Sequence, residues 1–343
     1  MQPRRRTQSG PSLPAPAVLA ATVLLAACAP GAGVHAQAAQ HAAQQVAERA
    51  AAAGGAPGLA VDTARLPHFS AENAHALLRA QVAFGPRVAN TRGHAAQLAW
   101  MLEHLEARAE TVFVQAFTHA ASSGDTLRMS NVLARFRPDD PRRLLIVAHW
   151  DTRPTADMDE NWPDMPIDGA NDGASGTAVL LELADVLSRH SPPVGVDLLL
   201  VDGEDHGPGE RDMYLGAKHF AANQPPGYPP LYGIVVDMVA DRNPVFPMEG
   251  NSLDHAPAVV DRVWAAAEAV GLAHLFPRRA GGHVTDDHVP LNRGGIPTIL
   301  IIDFDYGPDN AFWHTHQDVV ENTSAVGLGA VGRVLTALIF AGG

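Results

Sequence analysis

The sequence predicts an α/β fold: a single globular domain with a central, mostly parallel twisted sheet flanked by helices. Three observations predict it. Short, nearly continuous apolar runs recur at residues 144–148, 196–201, 234–239 and 298–302, as expected of strands buried on both faces. Stretches with apolar residues at helical spacing lie between and after them. No repeat and no Pro/Gly-rich linker divides residues 68–343.

The elements follow in order. Residues 71–83 and 93–109 have helical periodicity, with Leu98, Met101, Leu102 and Leu105 on one face. Residues 111–119 and 128–136 alternate like half-buried strands. The first buried run, 144–148, is followed by a loop rich in Asp, Pro and Met at 152–170 and a helix at 175–188. The second, 196–201, leads into a Gly-rich charged loop at 202–211 and a helix at 212–222. The run at 234–239 precedes a helix at 256–270, and the run at 298–302 precedes a closing helix at 324–340. In open α/β sheets ligands sit beyond the carboxyl ends of the strands, so chemistry is expected just after each run.

The chain has 343 residues, 46% hydrophobic and 18% charged, ample for a buried core and too apolar for disorder. Its formal net charge of −13 excludes nucleic acid as the main partner, because a phosphate backbone wants a basic face. A single cysteine rules out an intramolecular disulfide, a cysteine-based zinc finger and an iron–sulfur site. With 17 histidines and 37 acids, any metal site must use nitrogen and oxygen ligands.

The N-terminus reads as an address. Arg4, Arg5 and Arg6 precede an apolar stretch at about 15–27, too short to span a bilayer comfortably. It ends Leu25-Ala26-Ala27-Cys28, which resembles the lipobox of bacterial lipoproteins, with the sole cysteine at the position to be lipidated. A plain secretory signal with Cys28 incidental is the alternative. We therefore expect a lipoprotein signal peptide at 1–27, a flexible tether at 28–67 rich in Ala, Gln and Gly, and a catalytic domain at 68–343. The location expected is the bacterial cell envelope, facing the periplasm or exterior. Loss of 1–27 removes three arginines and no acid, leaving 21 bases against 37 acids, net −16. Contact with a membrane is then expected only through the lipid anchor.

The strand ends carry one kind of chemistry. His149-Trp150-Asp151 follows the first buried run, and Asn171-Asp172-Gly173 opens the next helix. Asp202-Gly203-Glu204-Asp205 follows the second run, Asp237 lies in the third, and Thr285-Asp286-Asp287-His288 and Trp313-His314-Thr315 come later. Oxygen ligands with imidazole suit zinc or another divalent ion. Taken singly, Asp172 reads equally well as a helix N-cap; the lesser readings of the other two are a buried aspartate holding loop N–H groups for Asp237 and core packing for Trp313.

The motifs A-H-W-D-T-R-P, G-A-N-D-G-A-S-G, D-G-E-D, D-D-H-V-P-L-N-R-G-G-I-P and W-H-T-H-Q-D occur in the order seen in zinc exopeptidases of the aminopeptidase type. More closely, the chain resembles their relatives, the animal-type and bacterial glutaminyl-peptide cyclotransferases, from about residue 70 to the end. The resemblance implies a zinc aminopeptidase-like fold and one zinc per chain, held by Asp172, Asp205 and His314. It implies Glu204 as the proton-transferring carboxylate, Asp237 and Asp286 as a hydrogen-bonded pair beside it, and Trp313 as a pocket wall. Many relatives carry two successive glutamates where this chain has Glu204-Asp205, so the backbone must come closer to the metal here. The substrates implied are peptides or proteins with N-terminal glutamine. The rival within the same superfamily is a two-zinc aminopeptidase, in which His149 and Asp237 would join Asp172 on a second metal. Otherwise His149 is expected to sit beside the site, hydrogen-bonding a carboxylate. A non-catalytic envelope binding lipoprotein is the third reading. Trp313, where peptidases more often have tyrosine, and the doubled acid Asp286-Asp287 favour the cyclotransferase.

Overall fold

The computed structural model describes residues 61–225, 228 and 230–343. The expected signal peptide lies outside the described residues, as does the tether up to residue 60; residues 61–67 carry no helix or strand. Six described strands form one sheet in the order β1 (Thr111–Ala120), β2 (Thr126–Phe136), β4 (Gly195–Val201), β3 (Arg143–His149), β5 (Tyr232–Asp237), β6 (Thr298–Ile302). β3 pairs in parallel with β4 and β5, and β5 with β6. The β1–β2 and β2–β4 pairs are antiparallel, so the sheet is parallel where the buried runs lie and antiparallel at one side.

Helices cover both faces: α1 (Ala71–Val82), α2 (Arg92–Glu106), α3 (Ala174–Arg189), α4 (Leu215–Ala222), α5 (Gly250–His255), α6 (Pro257–Ala269), α7 (His288–Arg293) and α8 (Ala325–Phe340). The period of two along β3 divides the core. Leu144, Ile146 and Ala148 join Leu78, Leu180, Val263 and Leu335, whereas Leu145 and Val147 join Ala217, Phe220 and Leu291 on the other face. α3 crosses the sheet closely because position 176 is glycine: a Cβ there would collide with the carbonyl oxygen of Val236.

Two predicted elements end elsewhere. β5 stops at Asp237, not at 239, because Met238 takes φ +49°. The next N–H groups then leave the ladder: Val239 N–H donates to Ser175 Oγ and Ala240 N–H to Asn171 Oδ1. The helix expected at 212–222 begins only at Leu215, after Tyr214 turns the chain with φ +58°. No helix among the described residues is long and apolar enough to cross a membrane.

Candidate active site

The carboxyl ends of the parallel strands converge on one cleft of about 500 Å³. β3 delivers His149, the turn after β4 delivers Glu204 and Asp205, β5 ends on Asp237, and the loop after β6 brings Trp313 and His314. Asp172 stands just before α3. It does not cap that helix, whose N-cap is Gly173 with no side-chain cap bond. Its carboxylate turns into the cleft instead. Gly173 is required here, because a Cβ would lie 2.5 Å from the His149 ring. Gly203, at φ +71°, makes the turn that presents Glu204.

Asp172, Asp205 and His314 are buried, and each offers a ligand atom within 4.8 Å of the others'. His314 Nε2 lies 3.6 Å from Asp172 Oδ2 and 3.5 Å from Asp205 Oδ1. Asp205 Oδ2 is buried without a hydrogen-bond partner. Burial lowers the His314 pKa to about 4, which leaves the imidazole neutral and able to donate a lone pair. Two carboxylates and a neutral imidazole fit zinc. His149, Asp172 and Glu204 form a second grouping on the same scale.

His149 Nε2 faces Asp172 Oδ1 and Asp237 Oδ1, each at 3.1 Å. Burial would lower its pKa, but Asp237, Asp151 and Asp172 together hold it well above the ordinary value. Glu204 is buried and its carboxyl is pushed well above the usual range, by desolvation first and then by Asp205, Asp286 and Asp287. Asp286 rises to about 7, through burial and the field of Asp237. Asp237 and Asp286 both line the cleft, yet no hydrogen bond joins them. Asp237 bonds to His149 and the Met238 N–H, and Asp286 accepts the Asp287 N–H. Trp313 packs partly buried against the core and also faces the cleft, where it stacks on His314 at 3.8 Å between ring centres, beside Phe304 at 5.1 Å.

Several buttresses had no role assigned from the sequence, although Asp151 stands in the His149-Trp150-Asp151 strand end and Asp318 closes the W-H-T-H-Q-D motif. Asp151 accepts the backbone N–H groups of Glu204 (3.1 Å) and Asp205 (3.3 Å). Asp318 accepts those of Asn171 (2.7 Å) and Asp172 (3.2 Å). Arg153, buried, reaches Asp205 and Asp157. The available signal was the conjunction of Asp151 and Arg153 in the A-H-W-D-T-R-P motif.

The sequence pattern of peptidase family M28 matches residues 131–339, well over half of the chain. The chain belongs to peptidase family M28. Within that family it is similar to the glutaminyl cyclase of Bacteroides thetaiotaomicron, at 37% identity and a TM-score of 0.77, covering 80% of this chain and 99% of that one. It is as similar to a Zn-dependent exopeptidase from Parabacteroides distasonis, at 36% identity, a TM-score of 0.77 and the same coverage. Glutaminyl-peptide cyclotransferase of Bos taurus is 24% identical over 245 residues, which span 61% of this chain and 65% of the bovine one. The alignment therefore falls short of two thirds of the bovine protein's length.

Proposed function

We propose that this M28 chain is a zinc-dependent glutaminyl-peptide cyclotransferase, closing the N-terminal glutamine of peptides or proteins to pyroglutamate with release of ammonia. The observation that carries this reading is the buried, high-pKa Glu204 beside the cluster of Asp172, Asp205 and His314, in a cleft walled by Trp313. One zinc per chain would be held by those three residues and would supply a Lewis acid for the side-chain amide carbonyl. Glu204 takes a proton from the substrate's α-amine as its nitrogen bonds to the amide carbon. It returns that proton to the departing nitrogen as the old C–N bond breaks and ammonia leaves. A carboxyl with a raised pKa suits both transfers. Asp237 and Asp286 present acceptors towards the amine end of the substrate, and Trp313 shields the imidazole face from water. The similarity to bacterial glutaminyl cyclases over nearly their whole length supports the reading.

The two-zinc aminopeptidase is supported by the grouping of His149, Asp172 and Glu204 with Asp237 alongside, and by the equal similarity to a Zn-dependent exopeptidase. The test is ammonia release from a Gln-initiated peptide beside hydrolysis of a Leu-initiated amide, with zinc counted per chain. Cyclisation with one zinc is expected. Hydrolysis without cyclisation, with two zincs, would establish the aminopeptidase, and full zinc without either activity would point to a binding protein. The N-terminal motif supports an envelope lipoprotein anchored through Cys28, with no nucleic-acid partner.

A further inference from the structure

The long loop after β3 does more than close the cleft. Its first half is fastened to the segment carrying His314 at several points. Met158 N–H donates to the His314 carbonyl at 3.3 Å. Asp159 Oδ2 accepts the His316 N–H at 3.0 Å and faces His316 Nδ1 at the same distance. Asp157 Oδ1 lies 3.2 Å from His314 Nδ1, the ring nitrogen turned away from Asp172 and Asp205, within ion-pair range but not aligned as a hydrogen bond. His314 itself holds φ +56°, a left-handed conformation that non-glycine residues keep only when their surroundings impose it. The same Asp157 receives a fork from Arg153, Nε at 2.6 Å and an Nη at 2.8 Å, while the other Nη of Arg153 holds Asp205.

One arginine–aspartate pair therefore touches two of the three candidate ligands, which come from distant parts of the chain. Arg153 is buried with its side chain 6% exposed; Asp157, at 45%, is open to solvent and contributes little to the core. We propose that Arg153 and Asp157 form a positioning clamp that sets the affinity of the zinc site. Arg153 orients the Asp205 carboxylate. The Asp157 charge beside His314 Nδ1 favours the tautomer with the proton on that nitrogen, leaving the Nε2 lone pair for the metal. Partners of this kind behind a ligand are worth about 10–100-fold in metal affinity. The inference rests on the zinc assignment alone and is indifferent to which reaction the site performs.

The test is a zinc competition titration against a chromophoric chelator, with the melting temperature of the metal-free full chain as the measure of fold. Asp157→Ala should weaken zinc binding about 10–100-fold. Its metal-free melting temperature should fall by a few degrees, because buried Arg153 loses a bidentate partner, while the chain stays folded. Asp157→Asn keeps an acceptor oxygen for Nδ1 and should fall between the two. Arg153→Lys, which keeps the charge but cannot span both carboxylates, should also weaken zinc. Glu160→Ala removes another exposed acid from the same loop and should leave zinc affinity unchanged. Parent-like affinity in Asp157→Ala, or an equal loss in Glu160→Ala, would overturn the clamp. Retention of zinc by His314→Ala would overturn it too, by removing the site on which it acts. Failure of the cyclisation assay alone would leave it standing.

Discussion

Glu204→Gln preserves side-chain size and removes the ability to accept a proton. Cyclisation should fall by about 10²–10⁴-fold, the usual worth of general acid–base catalysis, while zinc content stays at the parent level. Asp205→Ala should lose zinc and activity together, since its own carboxylate is the one grouped with Asp172 and His314. Metal analysis beside the ammonia assay separates the two outcomes. Asp172, Glu204, Asp205, Asp237, Asp286, Trp313 and His314, all named from the sequence, line the one cleft. They were legible because each follows a buried strand or opens a helix, where an α/β sheet exposes its chemistry. Arg153, Asp157 and Asp318 were not. A charged residue in a polar loop reads as solvated, and the burial of Arg153 depends on Asp205, 52 positions away, which no local pattern records.

At the scale of elements, the tight crossing of α3 over the sheet gives one prediction. Gly176→Ala puts a methyl against the Val236 carbonyl and should cost about 1–3 kcal/mol, read as a lower melting temperature. α5 gives another. Glu249 caps it, accepting the N–H groups of Asn251 (2.7 Å) and Ser252 (2.6 Å), and also that of Val284 (2.9 Å). Burial alone would raise its pKa, but His288, the Ser252 hydroxyl and the Val284 N–H hold it down to about 2. A depressed folded-state pKa contributes stability above the unfolded value near 4.5 and loses it as pH falls towards 2. Glu249→Gln should therefore be less stable than the parent at pH 7, with the gap in denaturant midpoint closing between about pH 4.5 and 2. The long elements were legible in the sequence because burial on one or two faces leaves a clear period. α5 and α7, of six residues each, span under two turns and leave none. The left-handed residues Tyr214 and Met238 shifted the boundaries, and neither is a glycine that would have marked the spot.

For the whole molecule, the proposed zinc site exists only where folding has brought residues 172, 205 and 314 together, so zinc should stabilise the folded state by mass action. Free zinc at a thousand times its dissociation constant would add about 4 kcal/mol, and a chelator should lower the melting temperature accordingly. The envelope reading predicts a diacylglyceryl adduct on Cys28 in mass spectra of membrane-extracted protein, and an unmodified soluble form would refute it. The outermost strand carries a different consequence. β1 pairs only with β2 among the described residues, and Thr111–Ala120 contains no proline, glycine, lysine, arginine or acid, with Phe113 and Val114 about half exposed. Such a bare, sticky margin is where two copies of the chain would zip together when warmed or concentrated. Val114→Lys should delay turbidity on heating without touching the cleft, and the handling properties of this protein would then trace to a strand that takes no part in its chemistry.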